Sequence, residues 1–544
     1  MDEFTGLKKL VAFICCFIIE FSYSFDDTYG KINRTKELNI GQTEFPSLLD
    51  PQKCKENICN VLIYQLFEGL VISNGEGKII PANAERWTLS SDGKTYTFYL
   101  RKNLKWSDGT KLTANDYVYS MQRLVDPAVY SYQSYLSEFI KNSKEIILGK
   151  MPIASLGVRA LSEYILEINL TQPTPIFLEI LAVSNNFPVQ KKNIEKFGSK
   201  FTLPENLVTN GSYTLKKSNK SEKIILEANK HYWNQKAINF EKINYIFEKD
   251  PNTLIKLYQN GQLDIVTDIE LDQIKSIKNK FDSELKTVSI LGCYFYTFNI
   301  QSPPFSNKKL RQALNIAIDR EFISQSLFNK TQIPLYDFLS YGLKNHDHTM
   351  PYWYYWSREM QIKEAKRLYK DAGYNENNQL NIYIHFNKAY MHRSIAISIA
   401  SMWKQILGIN AELVEEEWDN LVEKEKLDNY QVIRMGVLAN INDVYDFYNI
   451  LTSNNPLNNS NYKNKYYDKI VLDLMHELDP KKRKELIQQA SKILLEDVPK
   501  IPIISKSTNF LVKPYIQNFK INPLQLYLLS EVSSIKAEGK LSKY

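Results

Sequence analysis

The chain has 544 residues, 44% of them hydrophobic and 24% charged, with a formal net charge of +7. That length exceeds what a single core supports, so two or three domains are expected, and the composition is that of a soluble globular protein. The positive charge is scattered and forms no basic block, which argues against nucleic acid and leaves acidic ligands or an anionic membrane surface mildly favoured.

At the amino terminus Lys8 and Lys9 precede an apolar run, 10–19, shorter than the ~20 residues a membrane span takes. With the small residues of Ser22-Tyr23-Ser24 this predicts a signal peptide over 1–24 and an exported protein. Cys15 or Cys16 is either the acylated cysteine of a lipid-anchored form or an ordinary residue of the apolar segment. Cleavage leaves Cys54, Cys59 and Cys293. In an oxidising compartment the first two could close a small local disulfide, with Cys293 unpaired. Lacking histidine or further cysteine partners they make a weak metal site, and neither metal nor cofactor is expected.

In chain order, 38–41 reads as a first strand and 60–70 as a helix. Ser91-Asp92-Gly93-Lys94 and Ser107-Asp108-Gly109-Thr110 are turns. Between them Tyr96, Phe98 and Leu100 alternate with polar residues, as in a half-buried strand. Thr113 and Asp116 resemble a capping box, with Asp in place of the usual Glu or Gln. Tyr117, Val118, Met121, Leu124 and Val125 follow at helical spacing, and Asp126-Pro127 ends that helix. A strand is predicted over 164–170, a helix over 176–183, strands at 213–215 and 224–226, a helix over 254–260 closed by Gly261, and a strand at 263–266.

Past residue 291 long helices dominate. Leu310, Leu314, Ala317 and Ile318 share one face. Ile362, Ala365, Leu368 and Tyr369 form another stripe, ending near Gly373. Ile395, Ile399, Met402 and Trp403 form a third, closed by Gly408. Asp479-Pro480 opens a last helix carrying Leu486, Ala490, Ile493 and Leu494. A strand over 380–386 lies between two of these helices, and the acidic run Glu415-Glu416-Glu417 reads as an exposed edge. Helices interleaved with strands predict α/β lobes.

The wording of several segments is more specific than their periodicity. AERW..S.DGK.YTF.LRK..KWSDG..LTA.DYVYS (84–120), VTNGSYTL (208–215), HYWN (231–234) and PPFSNKKLRQALNIAIDR (303–320) resemble the signature of the extracellular solute-binding proteins of peptide ABC transporters, the oligopeptide- and dipeptide-binding family. The resemblance runs along nearly the whole mature chain. It implies an α/β, two-lobe periplasmic-binding-protein clamshell of class II, with an extra subdomain and a ligand cleft between the lobes. The first lobe would take its base from 25–70, 205–290 and 505–544, with 71–204 as the extra subdomain, and the second lobe would be 291–504. Ligands of the family lie extended in the cleft, pairing their backbone with the protein, and lobe closure presents one surface to the permease.

The same resemblance assigns cleft residues. A Gly-Trp-x-Ala-Asp motif holds the ligand's amino group in this family, and a buried ammonium needs such a carboxylate. Here the segment is Gly436-Val437-Leu438-Ala439-Asn440, so tryptophan and aspartate have become Val437 and Asn440. Asn440 cannot neutralise an ammonium. Asp443 could take over, or Glu44 could assist from the first lobe; the alternative is that Asp443 is a solvated loop acid. Tyr135 resembles a tyrosine lining the peptide site, His392 a histidine near the ligand's distal end, and Arg434 an arginine that meets ligand carboxylates, which its fork suits. A tyrosine pair near the carboxy terminus is replaced by about Ile504 and Ser505.

No G-x-S-x-G elbow, Walker loop, HExxH or dinucleotide fingerprint is present. The expectation is a monomeric, non-enzymatic binder in the bacterial periplasm or cell envelope, taking oligopeptides to an ABC permease in the inner membrane. The rivals are a binder of a non-peptide solute in the same fold, and a surface receptor or adhesin that has lost transport.

Overall fold

The computed structural model describes residues 36–535, apart from 132, 220–221, 268, 271–272, 344–345 and 376. The expected signal peptide, with Cys15 and Cys16, lies outside the described residues. Among those residues no helix is long and apolar enough to cross a membrane.

Two long strands organise the molecule. Leu285–Phe298 and Lys500–Val512 run antiparallel through the middle of an 11-stranded sheet. Their pairing is regular from Leu285↔Leu511 to Ser289↔Ser507, breaks, and resumes at Cys293↔Ser505. A register break of this kind kinks and twists a sheet locally, and here it separates the two wings. On one side lie Ile265–Val266, Glu37–Gln42, Lys242–Phe247, Lys223–Ala228 and Tyr213–Asn219; on the other Val432–Leu438, Asn381–Asn387 and Asn410–Glu416. Glu415 and Glu416 do lie on an edge strand, where they are held by Arg393 and His385.

A separate four-stranded antiparallel sheet, ordered Ala84–Leu89, Thr95–Leu100, Ile165–Asn169, Val158–Ser162, caps the first wing. The helix Ala114–Val125 packs beside it and opens on the expected capping box, Asp116 accepting from the backbone N–H of Thr113 at 2.8 Å. One apolar core joins this layer to the first wing, mixing Leu38, Phe98, Ile243 and Leu529. The second wing is packed on both faces, by clusters around Trp403 and around Tyr448. The molecule is a two-lobe α/β clamshell.

The family-signature segments turn out to be framework. Ser107 of WSDG exchanges hydrogen bonds with Thr209 of VTNG, at 2.7 and 3.0 Å. Gly211 has no room for a Cβ, which would stand 2.6 Å from the Gln65 carbonyl oxygen. Tyr232 and Trp233 of HYWN donate to the two carboxylate oxygens of buried Glu68 at 2.7 and 2.6 Å, and Arg101 lies 3.8 Å over the Trp233 ring. In the last segment, buried Arg320 donates to the carbonyls of Leu335 and Pro502, bracing a crossing strand.

Element boundaries depart from expectation where side chains pull the backbone aside. The first helix is Asn57–Leu66 rather than 60–70. The Leu66 carbonyl, which a helix reaching residue 70 would need, accepts instead from the Gly211 N–H at 2.8 Å, and the Asn83 and Asn210 side chains hold the Glu68 carbonyl just beyond, at 2.7 and 2.8 Å. The helix predicted at 254–260 is Pro251–Gln259, because Asp250 caps it through the N–H groups of Asn252 and Thr253. Ile318 is buried but lies just past the end of Lys308–Ala317. Cys54 and Cys59 are joined by a disulfide, and Cys293 is a buried free thiol. The pair also stands with Glu56 in a metal-like cluster, but a disulfide has no thiolate to offer.

Candidate functional site

The strand Val432–Leu438 ends at the mouth between the lobes, and the chain turns there through Ala439 and Asn440. A cavity of about 160 Å³ opens at this point, lined from the first lobe by Asn57, Asn60 and Tyr64, from the extra layer by Gln133 and Glu179, and from the second lobe by Asn440. A second cavity of about 410 Å³ adjoins it, sharing Asn57 and Gln525 and including Glu44. The two form one cleft.

Asn440 is engaged across that cleft by both ends of its carboxamide. Its Oδ1 accepts from Gln133 Nε2 and its Nδ2 donates to Tyr135 Oη, both at 3.2 Å. Its backbone N–H donates to Asp446 Oδ2, which fixes the turn. Beside it Ile441 is buried among Leu136, Ile176 and Ile180, an apolar seam between the second lobe and the extra layer. His476 and the Pro173 carbonyl, 2.9 Å apart, close the seam further along.

Asp443 departs from one of its two sequence expectations. It is not a solvated loop acid: Arg483, from the helix Pro480–Asp497, donates to its Oδ1 at 2.6 Å, and the Tyr445 N–H donates to the same oxygen at 2.8 Å. Burial raises its carboxyl, opposed by Arg483. A buried acid is retained only with such a partner, and this one points into an adjoining cavity of about 400 Å³ with Lys484 and Pro480. Glu44 is exposed on the rim of the larger cavity. Glu179 is the acid that sequence reading missed. Among the described residues lining the cavity around Asn440 it is the sole carboxylate, and burial raises it above the ordinary range. It sits in an apolar helix, FLEIL, and nothing in that local pattern marks it.

His392 and Arg434 both lie against one tyrosine ring. Arg434 lies 4.8 Å over the Tyr294 ring, whose hydroxyl is 3.2 Å from His392 Nδ1. Both residues are buried. Burial, with Arg434 and Lys506 beside it, lowers His392 to about 3, so the ring is neutral at physiological pH. Arg434 Nη1 donates to Asn387 Oδ1 at 3.1 Å. Ile504 and Ser505, at the position of the family's tyrosine pair, point into the core: Ser505 Oγ contacts Ser340 Oγ and the Tyr341 N–H, each at 3.0 Å.

This architecture is that of a solute-binding protein, and comparison with known proteins agrees. The model of bacterial extracellular solute-binding proteins, family 5 middle, matches residues 78–459, and the chain belongs to that family. Among its relatives, the periplasmic oligopeptide-binding protein OppA of Salmonella typhimurium is 35% identical over 474 residues, 87% of each chain. The probable deoxycholate-binding periplasmic protein YgiS of Escherichia coli is 34% identical, covering 90% of this chain and 92% of its own. Among solved structures, the periplasmic murein tripeptide-binding protein MppA in its unliganded open form superposes with a TM-score of 0.81 at 33% identity, over 92% of this chain and 97% of that one.

Proposed function

We propose that this protein is the exported substrate-binding component of an oligopeptide ABC importer. It captures peptides between its lobes and delivers them to a permease in the inner membrane, without chemistry of its own. The observation that carries this reading is the lining of the cleft by neutral carboxamides, Asn57, Asn60, Gln133, Asn440, Asn442 and Gln525. Carboxamides both donate and accept, which suits a peptide backbone of any sequence. The ligand's carboxylate would meet Arg434, and its amino group would not be held by a charge at position 440. Tyr135 and His392 line the path between, and Glu44 and Glu179 are the acids nearest an incoming amine.

A second reading, a non-peptide anionic solute, draws on the same missing charge at Asn440, since such a solute has no amine to anchor, and on the similarity to YgiS. Residues 25–544, purified natively and compared with material refolded to shed carried ligand, separate the two by mass spectrometry. Released peptides of defined length support the first reading. A released non-peptide solute supports the second.

A further inference from the structure

Beside Arg434 the central sheet carries a cation that no family motif marks. Lys506 follows Ser505 on the crossing strand Lys500–Val512, and strand alternation turns it to the opposite face from that core serine. Its stem lies across Gly292, where a Cβ would stand 3.1 Å from Lys506 Cδ. Its head then reaches Gly436 on the next strand but one. From the point where a Cβ of Gly436 would stand, the Cys293 carbonyl oxygen is 3.2 Å away on the sheet side, Lys506 Nζ 3.8 Å and Arg434 Nη2 3.9 Å. Two glycines therefore clear a path for the lysine and leave a gap between two cationic heads.

Neither head is neutralised. No hydrogen bond or ion pair engages Lys506 among the described residues, and the titratable groups beside it are Arg434 and the buried Cys293 thiol. Arg434 bonds a neutral carboxamide, and its Nε is buried without a partner. Other enclosed arginines are paired with acids, as Arg123 with Asp50 and Arg483 with Asp443, or held by carbonyls, as Arg320. Two like charges side by side in a half-buried site are unfavourable until an anion arrives. Resting on the reading that the cleft binds its ligand at Arg434, we propose that Lys506 is a specificity-determining residue which, with Arg434, grips one carboxylate of the ligand over Gly436. Both heads lie within 4 Å of a common point, so a single carboxylate spans them. That carboxylate is either the peptide's terminal group or an acidic side chain.

The test uses refolded 25–544 and its Lys506→Gln and Lys506→Arg variants. Each is offered a random tetrapeptide library in free-acid form and in amidated form, the amidated set including members with Asp or Glu, and captured peptides are read by mass spectrometry. Melting temperature is measured with and without sodium sulfate. The expected result is that the wild type enriches carboxylate-bearing peptides, that Lys506→Gln loses about tenfold of that preference, and that Lys506→Arg keeps most of it. Enrichment confined to free acids identifies the terminal group, and enrichment of acidic amidated members identifies the side chain. Lys506→Gln should also raise the melting temperature of the empty protein and shrink the extra stabilisation by sulfate. Equal capture of neutral amides and free acids by the wild type, or an unchanged preference in Lys506→Gln, overturns the proposal. If no peptide is captured but sulfate still separates wild type from Lys506→Gln, the peptide reading fails and the anion site stands.

Discussion

Asn440 and Gln133 meet across the mouth of the cleft, the Gln133 amide donating to Asn440 Oδ1 at 3.2 Å while Asn440 donates in turn to Tyr135. The position at which relatives by resemblance carry an anchoring acid is here a neutral bridge between the lobes. One acceptor lone pair and one N–H of its carboxamide are engaged with protein, and an incoming amine finds no charge there.

Replacing that bridge by a charge should restore amine recognition. In Asn440→Asp the carboxylate can still accept from Gln133 Nε2, and from Tyr135 once its hydroxyl rotates to donate. The expected outcome is a several-fold rise in the ratio of affinities for free and amino-acetylated forms of one peptide, measured by calorimetry. If the wild type already loses all affinity on acetylation, another acid serves, and Glu179→Gln is the variant that should then abolish the discrimination.

The bridge also bears on closure. Each of its two hydrogen bonds is worth about 1 kcal/mol, so Gln133→Ala should shift the ligand-free protein toward open forms without unfolding it. Small-angle scattering of the empty variant should give a larger radius of gyration than wild type, and saturating ligand should remove the difference. Identical curves would mean that the apolar seam around Ile441 holds the lobes alone.

Lys506 predicts a pH dependence of binding. Burial, and then Arg434, lower its ammonium to about 8. Of the other groups facing it, His392 is neutral, and the Cys293 thiol is pushed well above its ordinary range by burial. A bound carboxylate favours the charged lysine, so affinity is full below about pH 8 and falls above it. Calorimetry in buffers of different ionisation enthalpy should show proton uptake on binding near that pH in the wild type and none in Lys506→Gln.

Glu68 predicts a pH dependence of stability. Burial raises its carboxyl to about 7 from an ordinary 4.5, against the hydrogen bonds from Tyr232 and Trp233. A raised carboxyl favours the folded state in its protonated form, so this contribution is complete below pH 4.5 and is lost as pH rises through 7. The difference is on the order of 3 kcal/mol. Urea midpoints of wild type should fall from pH 5 to pH 8 more steeply than those of Glu68→Gln, and parallel trends would show that the group stays charged throughout.

The sequence by itself determined the framework. The capping box at Thr113, the turn glycines, the apolar stripes of the second lobe and the wording of the signature segments are local, because each depends on backbone angles or on a periodic face. They are legible; the stripes and strands give α/β lobes, and the clamshell is what the resemblance of the signature wording implies. Boundaries shift where a distant part of the chain intervenes, as when the Gly211 N–H takes the Leu66 carbonyl from the first helix. The cleft was legible only as substitutions: Asn440 was recognisable as a lost acid, but its capture by Gln133 and Tyr135 was not, since those residues lie some three hundred positions away. Asp443 looked like a free loop acid until Arg483 was brought beside it. Lys506 was one lysine among many until the sheet laid it across Gly292 toward Arg434. Charge takes its meaning from what stands within a few ångströms, and only the tertiary structure decides that.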